Sequence, residues 1–309
     1  MKKLVDYLVY LLIRGCFWLI AVLPQRLALA LLTGLVRGVL MLLPRYRRIA
    51  DRNLKQAFPE STPEWRRSIF NDSCASLARL ILDFARIKRL NEEWVKRNVE
   101  IPEIDKVDQI LRTPGRRSAI FVTGHLGSFE LLAHSANILG YPQSFIVRNF
   151  KNEFIDRWWN TRRESQGNIV INRKGAFRTV INALESGRDV GILFDQNTKR
   201  NHAVFVDFFG RPAATTKTVG LAALKTEAII LVVSIQYKGN DQYRINWEHC
   251  DFEATYRDNE IGSDEKVKYI TEVVSKKYEE MIRRDPGAWF WLHRRWKTAP
   301  EGVAEDFYK

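Results

Sequence analysis

The sequence predicts an α/β protein, a mainly parallel sheet with flanking helices and an N-terminal membrane-associated helical extension. Three observations carry that prediction. From Ser118 to Ile235, short apolar runs alternate with helix-like stretches of about 10–15 residues, the pattern of βαβ units. The first 43 residues hold two long apolar runs. The phosphate-cradling patterns GxGxxG and GxxxxGK[ST] do not occur, which disfavours the nucleotide-binding members of this class. The expected organisation is a membrane-anchoring segment, residues 1–43, and an α/β domain, residues 44–309. That domain takes in a helical region over 60–100 and a basic, aromatic C-terminal tail.

The first apolar run, Leu4 to Leu23, is broken by Asp6 and Arg14, and the second, Leu27 to Leu43, carries Arg37 as its one charge. About 20 apolar residues are needed to cross a bilayer core as a helix. The first run reaches that length, but a central Arg14 costs about 2.5–3.5 kcal/mol on insertion scales. A signal peptide fits poorly, because the run is interrupted and no A-x-A cleavage site follows. The open readings are one tilted span, two helices lying in the bilayer surface as a hairpin, or a buried helical pair in a soluble domain. Lys2 and Lys3 precede the runs and Arg45, Arg47, Arg48 and Arg52 follow them, so orientation is weakly determined but favours a cytoplasmic body. The basic cluster after Pro44 suits anionic lipid.

Thr62-Pro63-Glu64 reads as an N-cap, a first-turn proline and an acidic first turn, opening a helix that the apolar spacing carries to about Val99. Strands are then expected at Ser118–Val122, Ser144–Val147, Ile169–Ile171, Asp189–Phe194 and Ala228–Ile235. Helices are expected at Ser128–Leu139, Glu153–Gln166, Gly175–Glu185 and Thr215–Thr226. Gln242–Glu248 reads as an edge strand and Asp264–Arg283 as a long amphipathic helix.

Composition narrows the function. At 46% hydrophobic and 12% aromatic residues over 309 positions, the chain is not intrinsically disordered, and ten Pro and seventeen Gly exclude a collagen-like chain. Lys and Arg number 49 against 36 Asp and Glu, a net charge of +13 that calls for acidic partners. Nucleic acid is disfavoured, since no binding motif appears and the chain opens on an apolar region. Cys16, Cys74 and Cys250 are scattered with no C-x-x-C pair, so neither a metal site nor a disulfide framework is expected. No cofactor is expected.

Chemistry concentrates where a strand gives way to a helix. The first such junction reads Thr123-Gly124-His125-Leu126-Gly127-Ser128-Phe129-Glu130. On one continuous helix, residues five apart lie about 140° apart and pair badly. With Gly124 and Gly127 on either side, His125 can sit on a turn and Glu130 in the first turn of the next helix. A carboxylate accepting one imidazole N–H fixes the tautomer and raises the basicity of the other nitrogen. That serves deprotonation of a hydroxyl attacking a carbonyl, with no protein nucleophile: G-x-S-x-G is absent and no Cys lies nearby. As a bare pattern H-x-x-x-x-E is weak, and it also fits a structural histidine at a strand end.

The surrounding blocks add weight. Phe194-Asp195-Gln196-Asn197 is followed by Val204-Phe205-Val206-Asp207-Phe208-Phe209-Gly210-Arg211-Pro212-Ala213-Ala214-Thr215-Thr216. Ile169-Val170-Ile171-Asn172-Arg173 is an apolar run leading to Arg, and Trp289-Phe290-Trp291-Leu292-His293-Arg294-Arg295-Trp296-Lys297 closes the chain's aromatic-basic part. With the His125 block, these four resemble, in order, the bacterial late acyltransferases of lipid A biosynthesis, within the wider glycerolipid acyltransferase group and its H-x4-D/E motif. The resemblance implies a membrane-associated O-acyltransferase that moves a fatty acyl chain from an acyl thioester to a hydroxyl of a phosphorylated lipid A precursor. It implies His125 as general base with Glu130 as its orienter, and Asp195 and Gln196 as further site residues. It implies acyl carrier protein, or acyl-coenzyme A, as donor and the bacterial inner membrane as location, with the catalytic domain facing the cytoplasm. Arg163 and Arg173 are the candidates for acceptor phosphate, because Arg forms planar bidentate pairs with phosphate oxygens. The aromatic-basic tail is expected to suit a headgroup zone. His134 is expected to be structural, and His202 and His249 to lie at the surface. The competing readings are the same chemistry on another lipid acceptor, such as a phospholipid-linked mannoside or lysophospholipid, and a non-catalytic basic peripheral membrane protein.

Overall fold

Both N-terminal apolar runs are helical in the computed structural model, which describes residues 2–147, 149–172, 175–303 and 307–308. α1 (Lys2–Val22) and α2 (Gln25–Leu42) are long and apolar enough to cross a membrane by length and composition. Pro44 opens α3 (Pro44–Ala57), which the sequence reading leaves out, and Pro63 opens α4 (Pro63–Arg86). α2 buries Ala28, Leu32, Val36 and Leu40, against Ala78, Leu82 and Cys74 of α4. The four-residue spacing makes one stripe along the whole helix. A second stripe about 100° round the helix, with Leu27, Leu31, Leu35 and Val39, is exposed, and α1 buries no residue at all.

The expected helix from Pro63 to Val99 is interrupted. Thr62 caps its start, accepting the Trp65 N–H at 3.2 Å, but α4 stops at Arg86 and a single 3-10 turn follows. Asn91 then adopts an extended conformation and caps a separate α5 (Glu92–Asn98) by accepting the Trp94 N–H at 2.8 Å. β1 (Val99–Glu100) and α6 (Ile104–Leu111) complete the region.

From here the alternation holds: β2 (Ala119–Thr123), α7 (Phe129–Ile138), β3 (Gln143–Val147), α8 (Glu153–Arg163), β4 (Ile169–Asn172), α9 (Ala176–Glu185) and β5 (Asp189–Leu193). Next, ahead of the helix expected from Thr215, the chain makes a hairpin, which the sequence reading leaves out, of β6 (Ala203–Phe208) and β7 (Arg211–Thr216). Phe209 and Gly210 form its two-residue loop, both at positive φ, the geometry that suits a tight hairpin turn. α10 (Thr218–Thr226), β8 (Ile229–Gly239), β9 (Gln242–Cys250), the short α11 (Glu253–Arg257) and α12 (Ser263–Arg284) follow.

The main sheet has the order β1-β9-β8-β2-β5-β3-β4. β8, β2, β5, β3 and β4 run parallel, while β9 pairs antiparallel with β8 and carries β1 beside it. Side chains alternate between two cores. Ile120 and Val122 face the cluster of α9, α10 and α12, whereas Ala119 and Phe121 face that of α5, α6 and α7. Both faces are covered, so the strands read as continuous apolar runs. β2 and β5 are neighbours at the centre, and their C-terminal ends share one edge of the sheet.

Candidate active site

At that central edge Thr123 pairs with Leu193. His125 and Asp195 each lie two residues beyond this pair, so both turn out of the sheet side by side. His125 Nδ1 stands 2.9 Å from Asp195 Oδ1, and the His125 backbone N–H donates to Oδ2 at 2.7 Å. Gly124 permits this approach: a Cβ there would come within 2.4 Å of Asp195 Cγ and 2.3 Å of the Tyr278 hydroxyl. Gly127, at φ +64°, turns the loop into α7, and a Cβ on it would strike the Ile235 carbonyl oxygen at 2.3 Å.

The C-terminal segment fixes the loop from outside. The Trp289 indole N–H donates to Asp195 Oδ2 at 2.8 Å, the Phe290 N–H donates to the His125 carbonyl at 3.0 Å, and the Gly127 N–H donates to the Ala288 carbonyl at 3.0 Å. Asn53 of α3, fully buried, donates to the Trp291 and His293 carbonyls at 2.7 and 2.8 Å. Arg295, also buried, donates to the Ala214 carbonyl at 2.9 Å and stacks over Phe208. The tail is therefore interior, not a headgroup belt: Trp289, Trp291 and Trp296 are 2%, 0% and 2% exposed. Packing against the β6–β7 hairpin and α3 accounts for its aromatic content.

These contacts set the electrostatics. Burial raises the Asp195 pKa, but the facing His125 and the hydrogen bonds from its ring, its backbone and Trp289 bring it down to about 2. Burial likewise works against a charged His125, yet the Asp195 charge and hydrogen bond, with the Glu130 charge, outweigh it and hold the pKa above its ordinary value. With Nδ1–H directed at the carboxylate, Nε2 carries the lone pair. The Gln196 amide nitrogen lies 3.3 Å from Nε2 and 3.5 Å from Nδ1, and Phe129 presents its ring edge-on to the imidazole at 5.1 Å. His293 is pushed by burial down to about 4 and, neutral, accepts the Asn197 N–H at 2.9 Å.

The expected His125–Glu130 hydrogen bond is not formed. Glu130, buried in the first turn of α7, instead faces Arg163 at the end of α8, whose Nε lies 3.1 and 3.2 Å from its two oxygens and whose Nη2 also donates to it. The strand register delivers Asp195 to the imidazole, while the α7 start turns Glu130 toward α8. Arg163, 17% exposed at its side chain, thus spends its fork on a protein carboxylate rather than presenting it to a phosphate. Arg173 lies outside the described residues. His134 is buried between the Glu130 and Arg162 carbonyls at 2.8 and 3.0 Å, whereas His202 and His249 are exposed.

The site therefore unites a basic imidazole, a buried orienting carboxylate and an amide at one sheet edge. The chain also matches, over residues 1–298, the family model described as bacterial lipid A biosynthesis acyltransferase.

The chain belongs to this family.

Among its relatives, the lipid A biosynthesis palmitoleoyltransferase of Escherichia coli (strain K12) is 24% identical over 293 residues, covering 93% of this chain and 90% of the relative. The lipid A biosynthesis lauroyltransferase of the same organism is 25% identical over 295 residues, covering 95% and 92%. A lipid A biosynthesis acyltransferase of Haemophilus influenzae is 25% identical over 267 residues, covering 84% and 80%. As a member of the lipid A acyltransferases, the protein is an O-acyltransferase working between an acyl donor and a lipid acceptor. Asn53, which holds the tail against the site here, carries no local sequence signal. Trp289 sits in a block whose composition speaks equally for a membrane surface.

Proposed function

We propose that the enzyme transfers a fatty acyl chain from a thioester on acyl carrier protein to a hydroxyl of a phosphorylated lipid A precursor, with His125 as general base. The observation that carries this is the Asp195–His125 contact, which leaves Nε2 as the basic nitrogen in a partly open site. The acceptor hydroxyl gives its proton to Nε2 as its oxygen bonds to the thioester carbonyl carbon. When the tetrahedral adduct collapses, the C–S bond breaks and the imidazolium returns the proton to the departing sulfur. Asp195 stabilises the imidazolium and fixes the ring. Gln196 is the substrate-facing amide, and Glu130 and Arg163 act together as a buried pair bracing α7 against α8. Arg173, the residue after β4 in the chain, is the proposed phosphate contact.

The same reading places the enzyme at the bacterial inner membrane with its catalytic domain on the cytoplasmic side. Attachment of α2 to α4 along its full length supports an interfacial seat, its exposed leucine stripe in one leaflet and the exposed Arg45, Arg47 and Arg48 among anionic headgroups. The net charge of +13 favours encounter with an acidic carrier protein.

The test supplies membranes bearing the protein with carrier-protein and coenzyme A thioesters and with several lipid acceptors, and weighs the products. Acyl gain on the lipid A precursor, abolished in His125→Ala, is the expected result. Transfer that favours a lysophospholipid or a lipid-linked mannoside would replace the acceptor, and no transfer to any lipid would overturn the reading.

A further inference from the structure

Four stretches of the chain hold basic residues and no carboxylate, although Asp and Glu number 36 in 309. They run from Arg173 to Leu184, from Gln196 to Val206, from Phe208 to Thr226 and from Pro286 to Pro300. The fold brings parts of all four together at the sheet edge that carries His125. α9 and α10 pack side by side, and both begin at that edge: α9 follows β4, and α10 leads back to the start of β8. Gln196, beside His125, opens the second stretch, and Lys199 follows it within about 11 Å of chain.

Hydrogen bonds tie these stretches to one another. The Asn197 side chain donates to the Thr298 hydroxyl at 3.1 Å and accepts the Thr298 N–H at 3.0 Å, and that hydroxyl donates to the Thr198 carbonyl at 3.1 Å. Arg200 donates to the Ala299 carbonyl at 2.9 Å, and the Lys217 N–H to the His202 carbonyl at 3.2 Å. What stands outward from this frame is positive. Lys199 and Lys297 are exposed, as are Arg178 and its neighbour Phe177 in the first turn of α9. Arg178, Lys199, Lys217 and Lys297 enter no ion pair among the described residues. Local stability does not account for the arrangement. Lys217 stands at the N-cap of α10 and Arg178 in the first turn of α9, where the helix dipole disfavours a positive charge. Neither helix has an acidic residue in its first turn.

The geometry points to this edge as the docking surface for the acidic carrier protein that brings the acyl thioester. The assignment rests on the acyl-transfer reading above. Like charges held close on a braced surface, with no carboxylate among them, complement a partner of opposite sign and steer its approach. Phe177, 40% exposed, supplies an apolar anchor beside the charges. A protein fits better than a bilayer, because the lipid-facing helices lie elsewhere. α1 and α2 rest on α4 and α8, and α8 is paired through Arg163 with α7, whereas α9 and α10 cover the opposite face of the sheet. A carrier seated here and a lipid seated near α2 reach His125 from two sides, without competing for one surface.

The experiment uses the full-length protein in detergent micelles, unacylated holo acyl carrier protein, and two acyl donors: the carrier thioester and the uncharged acyl-pantetheine thioester. The variant combines Arg178→Glu, Lys199→Glu and Lys297→Glu. Binding of the unacylated carrier should weaken by about 10–100-fold at low ionic strength, and the difference should shrink as salt rises. For transfer to a lipid A precursor, kcat/KM should fall by a similar factor with the carrier thioester and hold steady with acyl-pantetheine. Melting temperature reports folding. If the triple variant does not fold, the single changes Lys199→Gln and Lys297→Gln carry the comparison, with smaller losses of the same kind. Unchanged carrier binding in a folded variant overturns the assignment. Equal loss with both donors overturns it too, by giving the charges to the acceptor's phosphate. So does loss of vesicle flotation with carrier binding intact, which gives the edge to the membrane. Carrier binding that the variant weakens, with no transfer to any lipid by the unaltered protein, keeps the surface and sinks the acyl-transfer reading. Transfer from the carrier thioester at one rate in both proteins keeps that reading and sinks the surface.

Discussion

Trp289 donates its indole N–H to Oδ2 of Asp195 at 2.8 Å, which leaves Oδ1 to face the imidazole of His125. A residue close to the C-terminus thereby decides how a carboxylate at the sheet edge is presented. Trp289→Phe keeps an aromatic ring but removes that donor. Loss of a hydrogen bond to a charged group costs about 1.5–3 kcal/mol, or roughly 10–150-fold in the affected rate. The expected result is a fall in kcat of that order with KM nearly unchanged. An equal fall in kcat for Trp291→Phe, whose indole instead bonds the Pro286 carbonyl, would show general loosening of the segment.

His125→Ala should lower turnover by about 10²–10⁴-fold while the fold persists, the range for removal of a general base. Circular dichroism provides the folding control, and a near-normal rate in the folded variant would sink the assignment.

The pH profile follows from the same contact. His125 must be neutral to act, and its pKa is raised above 6.5, so kcat/KM should fall as pH drops through a value above 6.5. Asp195 remains ionised throughout that window, its own pKa being about 2. Asp195→Asn removes the charge that favours the imidazolium and should move the acidic limb to lower pH while depressing the plateau. A limb that stays in place would detach Asp195 from His125.

Glu130 and Arg163 form a largely buried pair, 9% and 17% exposed at their side chains. Removing one member leaves the other's charge uncompensated, which costs about 3–5 kcal/mol for a fully buried pair and less here because Arg163 is partly open. Glu130→Ala and Arg163→Ala should each lower the melting temperature, and each should reduce activity equally toward phosphorylated and dephosphorylated acceptors. A selective loss with the phosphorylated acceptor in Arg163→Ala would restore that arginine to phosphate recognition.

Leu31 and Leu35 are 56% and 62% exposed on the outer stripe of α2. Replacing both with Glu should release the protein from vesicles in flotation assays at high ionic strength, where the basic surface is screened. Melting temperature should hardly change, because the stripe facing α4 is untouched. Unaltered flotation would remove α2 from the membrane contact.

Much of the fold was legible because its signals are local. The alternation of apolar runs and helical stretches located β2 through β5 to within a residue or two, and Thr62-Pro63 marked the start of α4. Failures came where a local preference met a longer-range contact. Thr215 and Thr216, expected at the start of a helix, end β7 instead because Val204 and Ala203 pair with them, and the helix begins at Thr218. Leu90-Asn91 breaks a helix whose apolar spacing continues past it. The site was legible in its members and not in its pairing. Glu130 is five residues from His125 and Asp195 is 70, and only the adjacency of β2 and β5 brings the distant carboxylate to the ring. Strand order is a long-range property that no spacing within either motif encodes. The tail's composition is ambiguous for a related reason: Trp and Arg occur at membrane surfaces, but they also fill interiors, as Arg295 does against Phe208.

The backbone bonds from Ala288 and Phe290 to the His125 loop have a consequence for synthesis. The loop, the sheet and α12 all emerge from the ribosome before the segment that locks the histidine and its carboxylate. A nascent chain, or one truncated ahead of Ala288, can possess every residue that meets substrate and still lack an ordered reaction centre. Order at the reaction centre therefore depends on docking of a segment far along the chain, not on the sheet-edge residues alone.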